Sequence, residues 1–369
     1  MNNRISDILI LGIFTISVLA FAHHPVFPAG VKPWEKDTLR YPEERHFGNL
    51  VQLTFQGSNA EAYFSFDGQW LVFQRNNPAE GVNCDQIYIG KIPQQPGDPF
   101  RFKMVSTGKG RTTCGFFTRD GKHVIYASTH LAADSCPPVP DRKKWKRYIW
   151  PVYAGYDIFM ADLNGHIVQQ LTHSPGYDAE ATLSPDGNQM VFTSDRDGDL
   201  DLYIMDLRTL AVRRITNTLG YDGGAWFSPD GKKIIWRASR PRTSEEIADY
   251  KNLLAQGLVA PTQMEVWMAN ADGSDAKQIT RYGQANWAPN FIPGSDKIIF
   301  CSNYIYPRGF PFNMFTINPD GTHLEKVSHD NVFDAFPMFS PDGRRIVFCS
   351  NRNSSAERDI NIFVADWVK

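Results

Sequence analysis

Polar residues stand at fixed distances from a tetrapeptide, Ser-Pro-Asp-Gly, that recurs along this 369-residue chain. Three full and three degenerate copies begin at the residues that we call anchors: Ser65, Thr118, Ser184, Ser228, Ile292 and Ser340. Six residues before the anchors lie Asn59, Thr112, Asp178, Asp222, Asn286 and Asp334. Oxygen ligands that converge on one axis suit a hard cation such as Ca²⁺, for which Asp178, Asp222 and Asp334 would be the charged ligands and Glu61 and Glu180 further carboxylates. Asp and Asn side chains can equally cap their own turns.

A second set of residues lies twelve positions after the anchors: Asn77, His130, Arg196, Arg240, Tyr304 and Arg352. Its arginines could clamp a ligand carboxylate, because a guanidinium can bind a carboxylate through two parallel hydrogen bonds. Alternatively, they pair with the aspartates of the first set and hold adjacent repeats together. Both sets are candidate ligand-binding residues, and the sequence leaves the structural alternatives open.

The repeat that must position these residues predicts an all-β fold. Its basic period is the 44 residues from Ser184 to Ser228, lengthened elsewhere by insertions. Each repeat contains four short strand-like segments, as a β-propeller blade does. The Pro presets a turn conformation, the Asp bonds nearby backbone, and the Gly adopts a left-handed conformation. We therefore predict that the tetrapeptide closes a hairpin and that six blades form one propeller.

The two ends of the repeat array predict how the propeller closes. The last repeat stops after its third strand, whereas residues 49–55 read as a fourth strand with no repeat before it. An N-terminal strand that completes the last blade would pair both open edges. The predicted propeller therefore spans residues 45–369, and residues 23–44, rich in Pro and charge, form an extended lead-in.

Residues 1–22 have the pattern of a signal peptide. Arg4 precedes an apolar run from Ile8 to Phe21, and Ala20-Phe21-Ala22 is a small-x-small cleavage pattern. The run is shorter than the roughly 20 apolar residues of a membrane span, so cleavage is favoured over retention as an anchor. We expect a periplasmic or secreted protein that is not an integral membrane protein after cleavage.

The long insertions fall between the second and third strands of their repeats, which places them on one face of the propeller. We call it the insertion face. The largest are residues 129–156, which carry Trp145 and Trp150 beside a basic patch, and residues 241–263, which have a helical pattern. Because loops on a rigid scaffold commonly carry function, we expect this face to bind the partner.

Three cysteines are placed near the larger insertion. Cys136 lies within it, Cys84 lies in the equivalent loop of the first repeat, and Cys114 is near the start of the second. In an exported protein, disulfides can form. We predict one disulfide that joins Cys136 to either Cys84 or Cys114.

The repeat from Ser184 to Thr216, SPDGNQMVFTSDRDGDLDLYIMDLRTLAVRRIT, is similar to that of the TolB-like propellers, and the resemblance covers all six repeats. It implies the propeller fold more strongly than a function. TolB is a periplasmic component of the Tol-Pal system with an α/β domain ahead of its propeller, for which the lead-in leaves no room, so binding to the Tol proteins is not expected. Similar repeats occur in oligogalacturonate lyases, which hold a metal through histidines. Here the candidate ligands would be His130, His173 and His329.

These observations favour a binding module over an enzyme. With 38 basic and 40 acidic residues the chain has a net charge of -2, which offers no basic surface for nucleic acid. We predict a monomer that binds a protein or an envelope polymer on the insertion face and has no cofactor other than, at most, Ca²⁺ in the channel. The alternative is a polysaccharide-active enzyme, such as a metal-assisted lyase with His130 as its catalytic residue.

Overall fold

Six four-stranded antiparallel sheets form a β-propeller, in which the inner strand of each blade packs against the inner strands of its two neighbours. The computed structural model describes residues 39–94, 98–306, 309–354, 356 and 359–369. The predicted signal peptide and residues 23–38 of the predicted lead-in lie outside this part of the chain. Among the described residues, no helix is long and apolar enough to cross a membrane. The predicted all-β, six-bladed fold is confirmed.

We label the strands of each blade a to d from the axis outward. Blade 1 comprises Ser58–Phe64, Trp70–Asn77, Val82–Lys91 and Phe102–Met104. Blade 2 comprises Thr112–Phe117, His123–Ser128, Asp157–Asp162 and Ile167–Gln170. Blade 3 comprises Asp178–Leu183, Gln189–Ser194, Asp201–Asp206 and Val212–Arg214. Blade 4 comprises Asp222–Phe227, Lys233–Ala238, Glu265–Asn270 and Lys277–Gln278. Blade 5 comprises Asn286–Phe291, Ile298–Ser302, Asn313–Ile317 and Glu325–Lys326. Blade 6 comprises Asp334–Phe339, Arg345–Ser350, Asn361–Trp367 and Phe47–Gln52.

The tetrapeptide closes the hairpin between strands a and b. In blade 3, Ser184 Oγ donates to Asp186 Oδ1 at 2.5 Å, and the backbone N–H of Gly187 donates to the Ser184 carbonyl at 2.8 Å. Gly187 has φ 75°, a left-handed conformation that glycine adopts without a steric cost. Eight positions after each anchor, strand b buries an aromatic ring between the blades: Phe73, Tyr126, Phe192, Trp236, Phe300 and Phe348.

Every inner strand is interrupted by a β-bulge four residues before its anchor. The pairing between strands a and b shifts register there in all six blades. The residues at the bulge all have positive φ: Glu61, Cys114, Glu180, Gly224, Ala288 and Phe336. All six line one small cavity. The bulge therefore turns one side chain or backbone position per blade toward the axis.

The N-terminal strand closes the ring as predicted. Phe47 pairs with Trp367 and Gln52 with Phe363 in an antiparallel register, so Phe47–Gln52 is the outer strand of blade 6. The last residue of the predicted lead-in, Glu44, packs into the propeller, because its side chain is fully buried. Residues just before the closing strand are thus part of the propeller packing.

The insertions of blades 2 and 4 are joined on the insertion face. Helix Ser244–Leu254 begins at a capping box, in which Thr243 Oγ1 accepts from Glu246 N and the Glu246 carboxylate accepts from Thr243 N. The strand Leu258–Val259 that follows pairs with Trp150–Pro151 of the blade 2 insertion. That insertion also contains the short helix Arg142–Trp145, and blade 1 carries a 3-10 turn at Pro78–Glu80.

A disulfide ties the blade 2 insertion to blade 1. It joins Cys84 to Cys136, with a Cα–Cα distance of 5.9 Å. Of the two pairings that the sequence left open, the structure therefore contains this one, and Cys114 is a free thiol. Cys301 and Cys349 are buried free thiols.

Candidate functional site

The first set, the one residue per repeat that lies six positions before the anchor, is fully buried at the start of strand a in all six blades. Three of these residues tie their blade to the one before. Asn59 Nδ2 donates to the carbonyl of Ile360 at 3.0 Å, Thr112 Oγ1 to that of Asp85 at 3.0 Å, and Asn286 Nδ2 to that of Met264 at 2.9 Å. These side chains satisfy backbone groups at the blade junctions, so they are not exposed to a ligand in the channel.

The three aspartates of this set each face an arginine of the second set in the same blade. Arg196 donates to Asp178 at 2.9 Å, Arg240 to Asp222 at 2.6 Å and Arg352 to Asp334 at 2.7 Å. Asp222 also accepts from Trp236 Nε1 at 2.6 Å. Burial raises the pKa of Asp222 to about 7, although Arg240 opposes the shift. The structure thus pairs the aspartates of the first set with the arginines of the second set. Each pair lies within one blade, so it does not join adjacent repeats as the alternative had predicted.

Arg352 binds two further carboxylates. Its guanidinium donates to both oxygens of Glu44, at 2.9 and 3.0 Å, and lies 2.9 Å from Asp330 Oδ2. Among the described residues, Glu44, Asp330 and Asp334 are the one group of at least three acidic, histidine or cysteine side chains whose ligand atoms lie within 4.8 Å of one another. Since Arg352 already occupies the position between them, the group is better described as an ion-pair cluster.

The structure does not bring Asp178, Asp222 and Asp334 together as ligands of one cation, because each points to its own arginine. The histidines do not converge either. His130 Nδ1 lies 2.9 Å from Ser128 Oγ and its ring centroid 4.4 Å from that of Phe159, and burial lowers the pKa of His130. His329 Nε2 lies 3.1 Å from the carbonyl of Lys326, and His173 is exposed. Among the described residues, no group of side chains that is close enough to hold a metal ion includes a histidine.

A charged network lies inside the channel at the level of the bulges. Arg237 forms a short ion pair with Glu180, and Tyr221 Oη donates to the Glu180 carboxylate at 2.6 Å. The N–H of Gly224 and Thr193 Oγ1 also donate to Glu180, at 3.0 and 2.8 Å. Glu180 therefore has its full set of donors, which fixes its position in the channel wall.

Sequence reasoning identified Glu180 but missed Arg237. Arg237 lies nine positions after its anchor, where the other blades carry neutral residues: Gln74, Ala127, Thr193, Cys301 and Cys349. A single charged residue at a repeat position that is neutral in the other five blades could have indicated a functional residue. Glu44 gave no such signal, because it lies outside the repeats.

The two tryptophans of the blade 2 insertion have different environments. Trp150 covers the channel mouth, with its ring 5.1 Å from the Arg237 guanidinium carbon and 4.9 Å from the Trp287 ring. Trp145 packs against a small cluster of Ile149, Leu253 and Leu258 and thereby joins the two insertions. Trp145 thus has a packing role, whereas Trp150 lies at the axis.

Two cavities open near the insertions. The larger, about 650 Å³, lies between helix Ser244–Leu254 and blade 4 and is lined by Arg240, which stacks 4.9 Å from the Trp267 ring. Arg147 crosses from the blade 2 insertion and forms two 2.7 Å hydrogen bonds with Asp249 of the helix at its edge. The smaller, about 170 Å³, lies at the channel mouth under Trp150.

Comparisons with known proteins agree with this architecture. A family model described as the TolB beta propeller domain matches residues 153–251. A putative TolB from Agrobacterium tumefaciens is 20% identical over 85% of this chain and 91% of its own, with a TM-score of 0.53. TolB from Acinetobacter baumannii is 20% identical over 82% of this chain and 64% of its own, with a TM-score of 0.54. Hydrazine synthase from Kuenenia stuttgartiensis is 13% identical over 81% of this chain and 44% of its own, with a TM-score of 0.53. At these identities the likeness to the solved structures concerns the fold alone, and no curated protein matches the sequence.

Proposed function

We propose that this chain, a TolB-like β-propeller protein, is an exported module that binds a protein partner on its insertion face. The observation that carries the proposal is a set of exposed apolar side chains on that face. Leu131 and Val139 of the blade 2 insertion are 62% and 66% exposed, and Ile305 and Phe310 of the blade 5 loop are 41% and 48% exposed. A contiguous exposed apolar patch is typical of a protein interaction site, and these four side chains lie on two loops that touch each other.

The loops that carry these residues are held together, which favours a preformed binding surface. The Tyr148 ring of the blade 2 insertion lies 5.2 Å from the Phe310 ring of the blade 5 loop, so the two loops meet across the face. The disulfide from Cys84 to Cys136 and the strand pairing of Val259 with Trp150 restrain the same insertion. A surface ordered before binding loses less conformational entropy when a partner docks.

Two features support export. The pattern of residues 1–22 is typical of a signal peptide, which directs a protein to the periplasm or the medium. The Cys84–Cys136 disulfide persists in those oxidising compartments and is rare in the cytosol. Cell fractionation, with mass measurement of the mature N-terminus, tests this part of the proposal. An uncleaved chain in the cytosol would contradict it.

The binding surface is tested with two matched double variants. Leu131→Ser with Phe310→Ser makes the insertion face polar, whereas Leu210→Ser with Val212→Ser changes exposed apolar residues at the outer edge of blade 3. Each protein is cross-linked in the native envelope, and the captured proteins are identified by mass spectrometry. We expect the wild type and the edge variant to capture the same partner and the face variant to lose it.

Capture that survives in the face variant would contradict the choice of surface. Capture that is abolished by polysaccharide-degrading enzymes but not by removal of proteins would show an envelope polymer as the ligand instead. Thermal unfolding of all three proteins establishes that the variants are folded.

A further inference from the structure

The cavity at the channel mouth has a wall of aromatic rings. Trp150 and Tyr153 come from the blade 2 insertion, Tyr156 precedes strand c of blade 2, and Tyr177 precedes strand a of blade 3. The ring centroids of Tyr153 and Tyr156 are 6.2 Å apart, and those of Tyr156 and Tyr177 are 5.7 Å apart. Burial raises the pKa of all three tyrosines, so they remain neutral phenols. The electron-rich faces of such rings attract cations.

The charged groups around the same cavity do not balance. Arg111 forms a short ion pair with Asp85, and Arg237 forms one with Glu180. Glu61 is a third carboxylate on this lining, and no ion pair joins it to a Lys or Arg of the described residues. It accepts one hydrogen bond from the Cys114 thiol, at 3.0 Å. An enclosed carboxylate without a counter-ion is costly unless it is protonated or meets a cation.

We propose that this cavity binds an organic ammonium group, with Glu61 as its counter-ion and the wall of Trp150, Tyr153, Tyr156 and Tyr177 around its alkyl part. The volume of about 170 Å³ equals that of about six water molecules, enough for an ammonium on a short carbon chain. The ligand would supply the one positive charge that the lining lacks. This small-molecule site is separate from the proposed protein-binding surface, and neither depends on the other.

The same arrangement couples binding to a proton. Burial raises the pKa of Glu61 to about 7, while the Cys114 thiol and Arg237 oppose the shift and Glu180 and Asp85 increase it. Tyr63 and Cys349 also face Glu61, and both remain neutral because burial raises the pKa of each. A bound ammonium favours the ionised carboxylate, so it displaces the proton of Glu61.

Isothermal titration calorimetry with n-butylammonium chloride tests the proposal, with 1-butanol as a neutral ligand of similar shape. With a pKa of about 7, roughly nine-tenths of Glu61 is protonated at pH 6 and one-tenth at pH 8. We therefore expect about tenfold tighter binding at pH 8 than at pH 6. We also expect release of close to one proton per ligand at pH 6, measured from buffers of different ionisation enthalpy.

The variant Glu61→Gln keeps the side-chain shape and removes the charge. We expect it to bind n-butylammonium about tenfold more weakly at pH 8, to lose the pH dependence and to release no proton. The matched control is Glu245→Gln, the same change on the exposed first turn of helix Ser244–Leu254, which should bind as the wild type does.

Three results would overturn the proposal: equal affinity for 1-butanol and n-butylammonium, equal affinity of Glu61→Gln and wild type, or binding without proton release at pH 6. The proton measurement is made on the wild type, so the test does not depend on how well the variant folds. Loss of the envelope partner in the insertion-face variant would leave all three results unaffected.

Discussion

Three arginines at equivalent positions of the repeat neutralise different numbers of buried carboxylates, and this difference predicts a graded effect on stability. Arg196 pairs with Asp178 and Arg240 with Asp222. Arg352 instead binds Glu44, Asp330 and Asp334, all of them buried. Replacing each arginine by methionine keeps much of the apolar stem and removes the charge. Because the three backbone positions are equivalent, each variant serves as a control for the others.

The expected losses follow from what each substitution leaves behind. Without Arg352, the carboxylates of Glu44 and Asp334 remain in an interior site beside Asp330, whose raised pKa of about 8 keeps it mostly protonated at pH 7. Breaking a buried ion pair in this way costs about 3 to 5 kcal/mol. Arg196→Met leaves one acid, and Arg240→Met leaves an Asp222 that keeps its bond from Trp236 and becomes neutral readily because burial has raised its pKa to about 7. For these two variants we expect a loss of about 1 to 3 kcal/mol.

Urea unfolding at pH 7, followed by tryptophan fluorescence, measures these differences as changes in the free energy of unfolding. We expect the wild type to be the most stable, Arg196→Met and Arg240→Met to be intermediate, and Arg352→Met to be the least stable. If Arg352→Met lost no more than Arg196→Met, the three-carboxylate cluster would not be an interior site held by one cation.

Two further predictions concern Asp330 and the disulfide. Burial, reinforced by Asp334, raises the pKa of Asp330 to about 8, so the protonated acid stabilises the fold below about pH 4 and that contribution declines as the pH rises through 8. As the pH rises from 4 to 8, Asp330→Asn should therefore gain stability relative to the wild type, by at most about 1.4 kcal/mol per pH unit. The same difference in urea midpoint between variant and wild type at pH 4 and at pH 8 would contradict this. Replacing Cys84 and Cys136 by serine opens a cross-link between residues 52 apart and should lower the free energy of unfolding by about 2 to 4 kcal/mol, measured by urea unfolding. Peptide mass mapping of the unreduced wild type that found both cysteines as thiols would refute the pairing.

The fold could be predicted from the sequence because the repeat encodes it locally. Each Ser-Pro-Asp-Gly copy forms its turn from its own side chains, as the Ser184 to Asp186 hydrogen bond shows. Closure by the N-terminal strand followed from counting strands, since a fourth strand was missing at one end and an extra strand stood at the other. The first inference needed only residues that lie close together in the chain, and the second needed only a count of the strands at its two ends.

The candidate site could be predicted only in part. Spacing alone did not show in which direction the side chains of the two polar sets point, so both cation binding by Asp178 and pairing with Arg196 were compatible with it. The structure shows the pairing. The charge on the channel cavity depends on Glu61, Arg237 and Arg111, which come from three blades. Their balance is a property of the assembled ring, and no single repeat contains it.

Closure by the N-terminal strand has a consequence for how the protein is made. The N–H of Ile362 donates to Thr54 Oγ1 across 308 residues, so a segment that emerges early from the ribosome or the translocon finds its partner only when the last blade arrives. Blades 1 to 5 can each form from contiguous sequence, but the ring joins late, because contacts between distant parts of a chain are slow to form. A chain interrupted before Asn361–Trp367 would leave strand Phe47–Gln52 without its partner and the edge of strand b in blade 6 open. Such an edge invites aggregation and proteolysis, so the pairing of these two strands protects the ring once it is closed.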